Sequence, residues 1–253
     1  MKGFFHWLAG QPGYKSRITY PDVEYFNNTA KNSRVAHTQR DIPYPSMAQA
    51  FHAFQAMPED TDFARRDKAL FAFFMLTCAR DGAVASLKLK HINLVEGHVF
   101  QDARDVKTKN AKTINTWFFP VDPTYLDCFT DWVRYLEQEK LFGPEDALFP
   151  KARTGLSKAG GFTVLGLSRE GYSSGEKLNQ IIRAAFATVQ LPEYTPHSFR
   201  KTLALYGDKV CPDMEHFKAW SMNMGHEKIA TTTSAYMPVT LQRQRDLIRG
   251  LGK

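Results

Sequence analysis

Cysteine is scarce in this 253-residue chain, and its three residues, Cys78, Cys128 and Cys211, are scattered with no CxxC pair. That spacing excludes a disulfide framework and a zinc site built on thiolates, and it suits a reducing cytoplasm. Long apolar runs are missing too. The longest, Ala69 to Ala79, is far too short to span a bilayer, and His6 interrupts the stretch from Phe4 to Gly10, so neither membrane insertion nor a signal-peptide core is expected. The sequence has no P-loop, no GxGxxG and no HExxH, which removes nucleotide, dinucleotide and zinc-protease chemistry from consideration. There is no internal repeat and no low-complexity tract. Any reaction must therefore come from side chains alone, and no cofactor is expected.

What remains is an ordinary globular composition with a basic balance. Hydrophobic residues make up 43% and charged residues 23%, and 33 Lys and Arg against 26 Asp and Glu give a formal charge of +7. A chain of this length buries a sizeable core without cross-links, and its positive balance favours polyanionic partners such as nucleic acid.

Residues 1–45 read differently from the rest. They carry the turn-forming Gln11-Pro12-Gly13-Tyr14 and Ile42-Pro43-Tyr44-Pro45 with few apolar residues at helical spacing, so an extended arm is expected there. From Ser46 onward the pattern is helical. Ser46 to Met57 and Thr61 to Ala79 carry apolar residues at helical spacing. Leu94 to Phe100 and Thr113 to Pro120 read as extended runs in a small antiparallel sheet of about three strands. Asp122 with Pro123 opens a helix through Lys140. Lys151 to Gly171, rich in Gly, Ser and Lys, reads as a mobile loop. Ser173 and Glu176 have capping-box spacing for a helix to Gln190, Thr195-Pro196 opens another, and Pro212 opens one ending at Gly225. The expected fold is mainly α with a small antiparallel β-sheet.

Several local signals point to chemistry. In Thr195-Pro196-His197-Ser198-Phe199-Arg200, the imidazole and guanidinium are three apart on one helix face and can converge on a single oxyanion. Gly225 can end a helix in the left-handed region and aim His226 into a cleft, with Tyr236 one short helix further on. Arg80 follows an apolar helix, where a charge must be paired with a neighbour such as Asp81 or face a site. Val106-Lys107-Thr108-Lys109-Asn110-Ala111-Lys112-Thr113 is a basic tip between two extended runs, suited to a DNA groove or simply solvated.

Taken in order, Arg after an apolar helix, Lys in a β-hairpin, HxxR, Gly-His and then Tyr resemble the tyrosine recombinase and phage integrase family, over about Ser46 to Tyr236. The segment Trp220 to His226 with Thr231-Thr232 and Tyr236 is especially similar to integrases of mobile elements. The resemblance implies a tyrosine-recombinase catalytic domain over residues 46–253, with residues 1–45 an arm or the remnant of a core-binding domain. It also implies a set of roles. Arg80 and Arg200 would bind the scissile phosphate and His197 would accept the nucleophile's proton. His226 would hydrogen-bond the phosphate, and Tyr236 would attack it. The proton donor to the leaving 5′-hydroxyl would be Lys109, in a Lys109-Asn110-Ala111-Lys112 turn like the family's K-x-x-K, with Lys107 second. Lys107, Lys112 and Lys90 would contact double-stranded DNA.

The implied activity is site-specific DNA recombination or integration through a 3′-phosphotyrosyl intermediate, without metal or ATP, by copies that self-associate as a tetramer on DNA, with accessory DNA-bending proteins as further partners. Type IB topoisomerase-like relaxation and a catalytically silent DNA-binding relative are the alternatives. Three departures from the family pattern stand out. Ala83 occupies a position that is often acidic, Cys78 one that is often Gly, and the span from His226 to Tyr236 is one residue longer than in many relatives. Two expectations concern the ends of the chain. About 45 residues before Ser46 are too few for an independent helical domain that closes a DNA clamp, so binding by this chain alone should be weak and steeply salt-dependent. Beyond Tyr236, Thr240 to Leu251 should form a short amphipathic helix that docks either on a neighbouring copy or in cis.

Overall fold

The computed structural model describes residues 2–27, 29, 32, 43–156, 160–237, 239 and 241–250, and the side chains of 109, 235, 241, 243 and 247 lie outside that description. The chain divides into two compact units, Met1–Asp41 and Ile42–Lys253. In the first, the expected extended arm is replaced by short helices, α1 (Lys2–Ala9) and α2 (Tyr20–Val23), followed by a single 3-10 turn, Glu24–Phe26. Pro21 suits the first turn of α2, and Asp22 reaches back to the amide of Thr19 at 2.7 Å. The Phe5 ring stacks on Phe26 with centroids 4.4 Å apart, an aromatic contact between positions too far apart in sequence to leave a periodic signal.

The second unit is built round one helix. In α4 (Asp62–Thr77), every residue from Ala69 through Thr77 is buried, so this segment is enclosed on all sides rather than along one stripe. Its neighbours supply aromatic faces. Phe54 of α3 (Met47–Gln55) packs on Phe71, and Phe129 of α6 (Pro123–Arg134) packs on Phe73. Phe186 of α7 (Glu176–Thr188) and Phe199 of α8 (Pro196–Val210) also close on Phe71. Burying each such ring contributes about 1.5–3 kcal/mol. Ser46 caps α3 in a capping box with Gln49, and the Asp122 carboxylate caps α6 through the amide of Thr124.

Between α4 and α6 lie the one-turn helix α5 (Asp81–Val84) and an antiparallel meander of β1 (Ile92–Asn93), β2 (His98–Gln101) and β3 (Ile114–Trp117), matching the expected small sheet. Register pairs Gln101 with Ile114, so the basic segment 102–113 forms the loop at the end of the β2–β3 hairpin. The outer edge of β3 is held by α9 (Met214–Asn223). The Trp117 amide donates to Asn223 Oδ1, and Asn223 Nδ2 donates to the Trp117 carbonyl, both at 2.8 Å.

Three expectations are corrected. The stretch read as a mobile loop contains a second antiparallel hairpin, β4 (Ala152–Leu156) with β5 (Phe162–Leu167); residues 157–159 lie outside the described residues. Both of its faces are largely exposed, so no alternation of apolar and polar residues marked it. Helix α7 starts at Glu176 with Gly175 as N-cap and no side-chain cap, in place of a Ser173–Glu176 box. Helix α9 is capped by Asp213, whose carboxylate accepts from the His216 amide, and begins two residues after Pro212. Two helices complete the unit, α10 (Ile229–Tyr236) and α11 (Leu241–Gly250). Among the described residues no helix is long and apolar enough to cross a membrane.

Helices α8 and α9 cross where Gly207 faces Trp220, whose indole nitrogen donates to the Leu203 carbonyl at 3.1 Å. A Cβ at Gly207 would lie 2.5 Å from Trp220 Nε1 and 2.7 Å from Cδ1. Gly207→Ala is therefore expected to cost about 1–3 kcal/mol by overpacking. Urea denaturation reads this directly, and an unchanged midpoint would mean that the crossing is looser than its geometry implies.

Candidate active site

Arg200 sits on the second turn of α8, and only 2% of its surface is exposed. Its guanidinium donates to the Cys78 carbonyl, to the Met224 carbonyl at 2.7 Å, to His226 Nε2 at 2.8 Å and, through Nε, to the Tyr236 hydroxyl at 3.2 Å. A buried cation ordinarily takes a carboxylate partner. Among the described residues none pairs with it. The two carbonyls come from turns at the ends of helices. Cys78 ends α4 in the left-handed region at φ 55°, where a glycine would meet no steric cost, and Met224 follows α9.

Arg80 begins α5 and is half-buried. Burial first, then the Arg200 charge, presses its guanidinium below the usual value, although arginine stays charged in this range. Asp81 does not neutralise it. That carboxylate accepts instead from the Gly82 amide at 2.8 Å and from Asn179 Nδ2 at 3.0 Å, which ties α5 to α7. Two like charges thus lie near one another with no counter-ion from the described residues, an arrangement that favours an incoming oxyanion.

Gly225 takes φ +77°, as its place after α9 anticipates, and the turn carries His226 inward. A Cβ there would stand 3.4 Å from Ile114 Cδ1 and 3.9 Å from Arg80 Nη1, so β3, Arg80 and the His226 turn meet at this glycine. His226 is 7% exposed. Its Nδ1 lies 2.8 Å from Thr232 Oγ1, and that hydroxyl lies 2.5 Å from Ser221 Oγ. Burial, then the charges of Arg200 and Arg80, lower its pKa to about 4.

Tyr236 ends α10 with its ring nearly parallel to that of His226, at 19° and 5.7 Å between centroids. The exposed His197, on the first turn of α8, has its ring centroid 6.2 Å from that of Tyr236. The structure thus brings together Arg80, His197, Arg200, His226 and Tyr236 from α5, α8, α10 and the turn after α9.

The lysines are distributed differently. Lys107 donates its amide to Ser86 Oγ at 2.9 Å and its ammonium to the Ser173 carbonyl at 3.0 Å, close to the start of α7. Lys109 opens a single turn at the hairpin tip, where Asn110 and Ala111 both have positive φ, and its side chain lies outside the described residues. Lys112 pairs with Glu227, next to His226. Lys90 pairs with Asp105 at 2.6 Å and with Glu145 at 3.0 Å. Lys88 joins the same two acids, and its ammonium together with that of Lys90 holds the Asp105 carboxyl well below the usual carboxylate range. Lys90 therefore anchors the base of the hairpin loop through Asp105.

Sequence reasoning did not single out Thr232 or Ser221, which touch the site through His226. Their hydroxyls are ordinary in composition, and only the fold brings positions eleven apart into contact.

Neither a protein-family model nor a curated protein matches this sequence. Solved structures do. The chain is similar to the XerA recombinase at 16% identity and a TM-score of 0.56, covering 99% of this chain and 88% of that one. It is also similar to a lambda integrase (75-356) dimer bound to a COC′ core site, at 13% identity and a TM-score of 0.54, covering 89% and 67%. The XerH site-specific recombinase bound to palindromic difH substrate, in a post-cleavage complex, matches at 14% identity and a TM-score of 0.55, covering 85% and 55%. The fold is that of the tyrosine-recombinase catalytic domain, as the motif order implied.

The depressed pKa of His226 has a consequence for stability. Its imidazole stays neutral in the folded state down to about pH 4, whereas the unfolded chain protonates it near pH 6.5. Between those values the unfolded state holds more protons, so stability rises with pH and is lost as pH falls through this window. His226→Gln is expected to show a smaller drop in urea midpoint between about pH 7 and pH 5 than the native protein. An equal drop in both proteins would contradict the assignment.

Proposed function

We propose that this chain is a DNA strand transferase of the recombinase and integrase type, in which Tyr236 attacks a phosphodiester and forms a 3′-phosphotyrosyl bond. The observation that carries this reading is the hydrogen bond to the Tyr236 hydroxyl from the buried Arg200, which has no carboxylate partner among the described residues. A phenol titrates near 10 and is a weak nucleophile at neutral pH unless a positive field and a base assist it. Arg200 and Arg80 supply the field, and His197 is the base. The phenolate oxygen bonds to phosphorus, the bond to the 5′-oxygen of the next nucleotide breaks, and that oxygen takes a proton from the hairpin. The two guanidiniums stabilise the extra charge of the pentavalent transition state. A free 5′-hydroxyl of a partner strand reverses the reaction, so the energy of the ester bond is retained and no ATP is consumed.

Incubation with a pool of nicked duplexes of random sequence, followed by a denaturing gel, reads the covalent adduct whatever the target sequence. Tyr236→Phe is expected to abolish the adduct while leaving DNA affinity intact, because only the phenolic oxygen is lost. Arg200→Lys keeps the charge but not the fork, and is expected to lower the rate by on the order of 10²–10³-fold. An adduct of normal yield from Tyr236→Phe would falsify the nucleophile.

The proton donor is a hairpin lysine. Lys109→Ala is expected to lose cleavage of an ordinary strand and regain it on a 5′-thio leaving group, which departs without a proton, while Lys107→Ala chiefly weakens DNA binding. The reverse pattern assigns the acid to Lys107, whose ammonium already has a fixed place beside Ser173.

A further inference from the structure

The hydrogen bonds of His226 determine which of its ring nitrogens carries the proton. A guanidinium can only donate, so the 2.8 Å contact from Arg200 Nη2 makes His226 Nε2 an acceptor with a bare lone pair. The neutral ring, which the low pKa ensures near neutral pH, then carries its proton on Nδ1. Nδ1–H donates to Thr232 Oγ1 at 2.8 Å, and that oxygen lies 2.5 Å from Ser221 Oγ, a contact in which either hydroxyl can donate. Thr232 is fully buried and Ser221 is 1% exposed, so bulk water does not replace this chain of partners.

In this state the Nε2 lone pair of His226 is held by Arg200, and the ring has no proton to offer an entering anion. A lone pair repels a phosphate oxygen. For the ring to hydrogen-bond an oxyanion, Nε2 must carry the proton and Nδ1 must become the acceptor. Most residues next to a histidine allow only one of these arrangements. A backbone carbonyl or a carboxylate at Nδ1 would hold the proton there, and an amide N–H would keep it away. A hydroxyl permits both, because it donates and accepts by rotation about one bond.

We propose that Thr232, backed by Ser221, is a positioning residue that reverses the tautomer of His226 when an oxyanion enters between Arg80 and Arg200, turning the imidazole from an acceptor into a donor. This rests on the proposed function for the identity of the anion as a DNA phosphate; the hydroxyl chain itself does not. In the reversed state the Thr232 O–H donates to Nδ1 and the Ser221 O–H donates to Thr232. The ring gains one proton at Nε2 and loses the one at Nδ1, both exchanged with solvent during transient local opening of the site, so its charge is unchanged. Arg200 is released from His226 at the same moment, and its Nη2 proton becomes available to the anion. The device thus links two donors to a single event. With no anion present, each satisfies the other inside the site. With one present, both turn to it.

The test reads the ring nitrogens directly. In protein labelled with ¹⁵N-histidine, long-range proton–nitrogen spectra separate a protonated nitrogen from a bare one, and the probe is inorganic phosphate. In the native protein without phosphate, Nδ1 of His226 should be protonated and Nε2 bare, and phosphate should exchange the two. Thr232→Ser keeps the hydroxyl and should keep the exchange. Thr232→Val has nearly the same shape without a donor at Nδ1. It should block the exchange and lower adduct formation on nicked duplex by at least about tenfold, the size of one lost buried hydrogen bond to a charged-site partner. A folded Thr232→Val protein that exchanges tautomers like the native one overturns the proposal, as does native His226 that carries its proton on Nε2 before phosphate is added. Failure of the strand-transfer reading looks different: the exchange occurs in the native protein, yet no adduct to Tyr236 forms on any duplex.

Discussion

A single buried charge organises the second unit of this protein. The Arg200 guanidinium lies in the interior with two carbonyls, an imidazole and a phenol as partners and no carboxylate among the described residues. Each carbonyl is offered by a chain that has just left a helix, and each exit has its own backbone requirement: a left-handed Cys78 after α4, and a left-handed Gly225 one residue beyond Met224. The aromatic packing round α4 keeps those exits in register with α8. Without that enclosure the cation would draw in water and lose the dryness that gives its field reach.

The site is assembled from segments that also hold one another. Ile114 of β3 lies against Gly225, Asn223 clasps the backbone of Trp117, and Lys112 of the hairpin loop reaches Glu227. The sheet is small, yet it couples the loop bearing Lys107 and Lys109 to the turn bearing His226. At the other end of that loop, Asp105 pairs with Lys88 and Lys90, and His91 Nε2, whose pKa burial lowers, lies 3.2 Å from the same carboxylate. Partly exposed pairs of this kind contribute little singly; a shared carboxylate on a short loop restricts where the loop can point.

Much of this was legible in the chain itself, for identifiable reasons. The order Arg80, hairpin lysine, HxxR, Gly-His and Tyr236 survives as a linear pattern because each group sits at the start or end of an element that has its own local signal. The helices announced themselves wherever one face is buried or a cap is of standard type, as at Ser46, Thr61 and Asp122, or where a proline opens the first turn, as at Pro196. The β4–β5 hairpin did not, since a ribbon exposed on both faces leaves no alternation, and its glycines read as a loop. There Gly155 makes room for the Leu165 side chain, which would lie 2.6 Å from a Cβ at that position. The partner of Asp81 was equally hidden, because Asn179 lies 98 positions away. Thr232 sits in a run of four hydroxyl residues, Thr231 to Ser234, any of which could have faced inward until helix α10 set the phase.

The clasp of Asn223 on Trp117 has a meaning beyond the fold of one molecule. A meander of three short strands ends in open backbone groups, and such edges invite another chain to add a strand. Here a side-chain amide imitates the neighbouring strand, giving Trp117 the donor and acceptor it would otherwise seek elsewhere, while the opposite edge, β1, is only two residues long. A sheet already furnished with its own false neighbour is ill-suited to extend by edge pairing with another chain.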